Sequence, residues 1–189
     1  MLPPGSQITS ETLWLGTLIF AAIDAVFVSI LAWRIRRETF HRLRWALGIT
    51  SFLFWCALWT WGLVTFWEPI YRYVFPAWAR WLIPPSFGLL YTGMGLLFRR
   101  LALRFPGNAV VNFCLLGGSW GLVTHLFAVA LGIVSKPPAL QGAAPAAAVI
   151  FAIFEFMLYW CIILTISVLL QQGWRALQHA EVFATDQHR

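Results

Sequence analysis

Five long apolar stretches, separated by polar punctuation, set the pattern of this chain: residues 12–33, 45–67, 84–103, 109–134 and 145–170. Each is close to the ~20 residues that a helix needs to cross a bilayer. The last, PAAAVIFAIFEFMLYWCIILTISVLL, is the most continuous and holds a single ionisable residue, Glu155. The third has the shortest uncharged run, because Arg99 and Arg100 close it early. Pro84 and Pro85 open it, at the helix start where proline is tolerated. Residues 68–83 are broken by Pro69 and Pro76 and mix Tyr71, Tyr73, Phe75, Trp78 and Trp81 with Arg72 and Arg80. That mixture predicts a segment lying in the headgroup layer. The tail, residues 171–189, is expected to begin as a short amphipathic helix along the membrane.

Composition agrees with this pattern. A soluble domain of 189 residues needs more polar surface than a chain with 60% hydrophobic and 11% charged residues can supply. The prediction is therefore an all-α integral membrane protein, one domain, built as a bundle of five transmembrane helices. The net charge of +6 does not point to nucleic acid, because the basic residues sit at the ends of apolar runs rather than in a patch. Of the thirteen, ten fall after the first, third and fifth spans, among them Arg34, Arg37, Arg44, Arg99 and Arg104. Arg72, Arg80 and Lys136 fall on the other side. The positive-inside rule then places the N-terminus outside and the C-terminus in the cytoplasm, which an odd number of spans requires. A multi-pass protein of the plasma or inner membrane is the expected location.

Residues 1–11 lack Lys and Arg, so the first span has no basic region of the signal-peptide kind and is expected to be retained. Cys56, Cys114 and Cys161 lie inside apolar runs without CxxC spacing and read as apolar filler. No internal repeat supports an inverted-repeat transporter, and no stretch carries a motif specific to one family.

Candidate chemistry comes from polar residues deep in the spans. At ~1.5 Å per residue from the outer surface, Asp24 lies roughly 18 Å in, Glu155 roughly 15 Å and His125 roughly 14 Å. Trp59 and Tyr91 follow at roughly 10–12 Å, with Trp55 deeper. A charged side chain at such depth costs ~2.5–3.5 kcal/mol on insertion scales, so it should face inward toward a partner, a proton or a wet cavity. Gly117, Gly121 and His125 recur every four residues, as a close-packed helix face would. Tyr159, one turn from Glu155, is placed to donate to its carboxylate. Glu68 is placed to pair with Arg72.

The expected binding residues are Asp24, Trp55, Trp59, Tyr91, His125, Glu155 and Tyr159, an acidic layer beside aromatic walls suited to cation–π attraction. The leading expectation is binding or passage of a small apolar or cationic molecule, linked to protons. One alternative is a membrane isomerase or cyclase using Asp24 or Glu155 as general acid. Another is a non-catalytic subunit, with a membrane-protein partner or further copies of the chain. The same groups could instead only lock helix packing. Bis-histidine haem is disfavoured, since His125 is the one histidine within a span, and a metal triad of His125 with two carboxylates ranks below packing. The sequence names no cofactor.

Overall fold

The structure, a computed structural model, describes residues 7–186, with side chains to residue 178. It is all-helical, with no strand among the described residues. Six α-helices follow in order: α1 (Ser10–Arg34), α2 (Arg37–Arg42), α3 (Arg44–Phe66), α4 (Ile83–Arg104), α5 (Ala109–Ala130) and α6 (Pro145–Asp186). Four of them, Ser10–Arg34, Arg44–Phe66, Ala109–Ala130 and Pro145–Gln178, are long and apolar enough to cross a membrane. α4 has the length, 22 residues, but Tyr91, its glycines, its prolines and its arginines dilute the apolar content.

Local signals set the helix ends. Thr9 caps α1 by accepting from the Thr12 amide, and Asn108 caps α5 by accepting from the Val110 and Val111 amides. Pro84 and Pro85 occupy the first turn of α4, as expected. α5 ends at Ala130, four residues short of the expected 134. The reason is Gly132, at φ +64°. Its left-handed turn lets Ile133 N–H donate to Ala128 O at 2.8 Å and Gly132 N–H to Val129 O at 2.9 Å, which closes the helix. α6 runs unbroken past 170 to Asp186, so the tail extends the last helix instead of forming a separate one.

α6 is the central helix, packed against α1, α3 and α5, while α4 packs between α3 and α5. The α5–α6 seam is the tightest contact. A Cβ on Gly121 would collide with the Ala152 carbonyl, one on Gly117 with the Trp160 ring, and one on Gly118 would stand 2.6 Å from Met157. The Gly117–Gly121 stripe is thus a helix contact of the small-residue kind, and it meets the Ala152–Phe156–Trp160 face of α6. Trp160 is fully buried, with Gly95 of α4 making room on its other side.

Polar ties fasten the two ends of the bundle. At one, Ile8 N–H donates to Ala139 O and Ala144 N–H to Ser10 Oγ, both at 2.8 Å. At the other, the Arg37 guanidinium donates to the Leu103 carbonyl and, at 3.4 Å, to Gly107 O, while Asn108 donates to Ala32 O at 3.1 Å. The bundle's outer face stays apolar, with Leu18, Val26, Leu53, Val64, Leu89 and Phe127 all exposed. That pattern fits lipid and not water.

Candidate functional site

Glu155 and Tyr159 stand one turn apart on the face of α6 that looks toward α3, and the Tyr159 hydroxyl donates to Glu155 Oε1 at 2.5 Å. The pairing expected from i,i+4 spacing is present. α3 supplies the wall. Trp55, buried, stacks flat on Tyr91 of α4 with ring centroids 3.9 Å apart and planes inclined by 13°. It meets Tyr159 edge-on at 5.5 Å and Phe156 at 5.6 Å. One turn on, Trp59 lies 4.3 Å from Phe87 and 5.8 Å from Tyr71. Such tilted and offset pairs use ring edges against ring faces and hold a defined shape.

Tyr71 closes this end. It belongs to a 3-10 turn, Tyr71–Tyr73, in the segment between α3 and α4, and its ring fills the space that Gly62 of α3 leaves free. Burial pushes its hydroxyl up to about 12, and the nearby Glu155 carboxylate pushes the same way. Tyr71 therefore stays protonated at neutral pH. Of the three phenols here, Tyr159 bonds the carboxylate directly, while Tyr91 and Tyr71 join the same aromatic cluster through Trp55, Phe87 and Trp59. Glu155, Tyr159, Tyr71 and Trp59 are half-buried, so none of them is fully enclosed by the bundle. The indole N–H groups of Trp55, Trp59 and Trp120 are buried without a hydrogen-bond partner. The Trp160 N–H, in the α5–α6 seam, is unpaired as well, so the feature belongs to the packed aromatic core as a whole.

Of the seven expected residues, five meet in this cluster: Trp55, Trp59, Tyr91, Glu155 and Tyr159. His125 stands at its edge, 5.9 Å from the Phe156 ring, and its Nδ1–H donates to Gly121 O of its own helix at 3.1 Å. That bond leaves Nε2 of the neutral ring as the acceptor. Asp24 is elsewhere. It is 1% exposed on α1, which packs on α6 and α5, and neither carboxylate oxygen has a partner. No hydrogen bond or ion pair joins it to His125 or Glu155, so equal depth does not bring the three together. Among the described residues no three His, Cys, Asp or Glu side chains are grouped to hold a metal ion.

Two features were missed from sequence. Tyr71 was assigned to the headgroup layer alone, although it folds back over Trp59. Cys114 and Cys161, read as filler, touch across the α5–α6 seam with their sulfurs 3.6 Å apart. Outside this cluster, Glu68 pairs with Arg72 at 2.6 Å, as expected. No family model matches the chain, and no curated protein or solved structure resembles it closely enough to count as a match.

Proposed function

We propose that the chain is a five-span membrane protein that binds a small, apolar cation at Glu155, with a proton as the competing occupant of the carboxylate. One observation carries this: a single half-buried carboxylate, bonded by Tyr159, on the face of α6 that packs against a cluster of aromatic rings. A carboxylate attracts the charge, the ring faces attract it again by cation–π contact worth roughly 0.5–2 kcal/mol each, and the apolar walls take the rest of the molecule. An anion gains none of these.

In this reading α4 is the fifth span, its arginines gathered at one end, and residues 68–83 lie in the outer interface. Trp78 and Trp81 are exposed there, and Arg80 lies over Trp67 at 5.3 Å. The N-terminus and the α5–α6 loop share the outer side, in keeping with the bond from Ile8 to Ala139. Lys136 is the chain's only lysine and is exposed in that loop. An impermeant amine reagent applied to intact cells should therefore label Lys136, and a peptide unlabelled there until the membrane is opened would reverse the orientation.

The binding test uses a matched pair of ions. Tetraphenylphosphonium and tetraphenylborate have the same size and opposite charge. Titrating each into the protein in mild detergent, the cation should quench tryptophan fluorescence saturably and the anion should not. Equal quenching by both would mean partition into an apolar surface, and the site would fall. A second reading, a membrane isomerase or cyclase, rests on the Tyr159–Glu155 bond as a proton-donating pair. Turnover of an added lipophilic alkene by the purified protein would favour it over simple binding. An obligate protein partner on purification would favour the subunit alternative over both.

A further inference from the structure

We propose that the arginine-bearing end of the bundle holds one anionic phospholipid, its headgroup phosphate seated in a notch between α3 and α4 at Gly48 and contacted by Arg44. The site lies at the opposite end of the α3–α4 pair from Tyr71 and does not depend on the role given to Glu155. Glycines show where the α3–α4 seam is closed and where it opens. Phe52 and Cys56 of α3 fill the place where a Gly88 Cβ would stand, and Ser51 with Trp160 does the same at Gly95. Nearer the start of α3 the seam is open: nothing lies within 4 Å of where a Gly48 Cβ would be, and the residue is half-buried. Arg44, Gly48 and Phe52 recur every four residues and share one face. Phe52 turns that face toward α4, and Arg44 stands exposed at its end.

The charge at this end has no counter-ion in the chain. Arg99 of α4 is 9% exposed, and its Nη2 donates to the His41 carbonyl, three residues before Arg44 at the α2–α3 corner. Its Nε is buried without a partner. A guanidinium keeps its proton, so a full positive charge lies under the corner. α2, α3 and α4 together hold one acid, Glu38, and among the described residues the only ion pair is Arg72 with Glu68, at the far end. No side chain caps the N-terminus of α3, which adds the positive end of a 23-residue helix. Buried charge calls for an anion beside it, and phosphate is the anion that a membrane surface offers at this level. In this site Arg44 contacts the phosphate, while Arg99 is a positioning residue that fixes the corner and lends its charge. A lipid gains more here than a free anion does, because its acyl chain also has a place. Trp45, Ile49 and Leu53 run along α3 at four-residue spacing from the residue after Arg44, all exposed.

The test counts bound lipid. The full chain in mild detergent at physiological salt would be mixed with dioleoyl phosphatidylglycerol or dioleoyl phosphatidylcholine, which share their acyl chains and differ in net charge, and examined by native mass spectrometry. One phosphatidylglycerol should bind in preference to phosphatidylcholine by roughly tenfold or more, the scale of a hydrogen bond to a charged group. Arg44→Gln should lose that preference. Gly48→Leu removes no charge and meets no neighbour, so it should fold, melt as the native chain does, and lose the preference as well. Arg36→Gln removes a charge from the same end but at the start of α2, ~9 Å of helix from the corner. It should keep the preference within about twofold, because salt screens exposed charges over such a distance. Inorganic phosphate at equal concentration should leave the lipid bound. A preference that survives Gly48→Leu or Arg44→Gln, or that falls as far in Arg36→Gln, would mean that the field of the whole end gathers anionic lipid, and the notch would be overturned. Displacement by inorganic phosphate would overturn the lipid in favour of a free anion. A Gly48→Leu chain that does not fold would show a seam closed at Gly48, which also overturns the site.

Discussion

Two acidic residues sit mid-span in this chain, and the fold treats them in opposite ways. Glu155 lies on the side of α6 that faces α3, is bonded by Tyr159, and stays half-buried beside a cluster of aromatic rings. Asp24 lies on α1, on another side of the bundle, sealed and without a partner. From sequence they look alike: one carboxylate, one apolar helix, nearly the same depth. What separates them is helix placement. α1 packs on α6 and α5, away from the α3–α4 pair that supplies Trp55, Trp59 and Tyr91. Depth along a span is one coordinate, and a shared site needs all three.

The largest effect is expected at the α5–α6 seam, on which the placement of both acids depends. Gly121→Leu puts a side chain where the Ala152 carbonyl already is, and backbone cannot yield as a side chain can. Overpacking costs ~1–3 kcal/mol where neighbours can shift, and more is expected here. Little folded protein should survive purification in detergent. Gly16→Leu meets only the edge of the Phe151 ring, at 2.8 Å, and should lower thermal stability modestly. Equal tolerance of both would remove the seam as the organising contact.

Smaller changes separate the two acids. Tyr159→Phe takes the donor from Glu155 and should cost about 1–3 kcal/mol, the range for leaving a buried charged group without its hydrogen bond. Asp24→Asn removes no bond that the structure contains and exchanges an acid for a neutral amide at that depth. Its melting temperature in detergent should equal or exceed that of the native chain. A marked fall would mean that Asp24 has a partner and that the contrast with Glu155 is false.

The smallest effect is in alkali. The Tyr71 hydroxyl is raised in the folded protein from its ordinary 10.0 to about 12. Between those values the unfolded chain has lost this proton and the folded one has kept it. Stability from this group is thus complete below the unfolded value and is lost as pH rises toward the folded one. Tyr71→Phe should flatten the fall in melting temperature between pH 9 and 11, values chosen to straddle the ordinary phenol range. An unchanged slope would take Tyr71 out of the buried cluster.

Much of the architecture was legible because lipid is a strict solvent. Apolar length marked the four helices apolar enough to cross a membrane, and prolines and glycines marked several helix ends. α6 begins at Pro145 as expected and continues past 170, since Gln171–Gln178 holds no proline to break it. Local pairs were also readable: Tyr159 to Glu155 and Arg72 to Glu68 follow from one turn of helix. Contacts between helices were readable only where small residues form a stripe, as at Gly117 and Gly121. Which side of α6 each neighbour would take is encoded in the fit of large rings, Trp160 between Gly95 and Gly117 above all. No periodicity reports that fit, and so the place of Tyr71 over Trp59 and the Cys114–Cys161 contact were not legible in the sequence.

The most direct test sets the two acids side by side in one assay. Tetraphenylphosphonium would be titrated into Glu155→Gln and Asp24→Asn, each first shown to melt cooperatively in the same detergent. The account predicts that Glu155→Gln binds roughly tenfold or more weakly, a change of ~1.4 kcal/mol or greater and a modest share of a partly desolvated charge pair. Asp24→Asn should bind as the native chain does. Native affinity in Glu155→Gln, or an equal loss in both variants, would contradict the claim that Glu155 alone is the acid of the site.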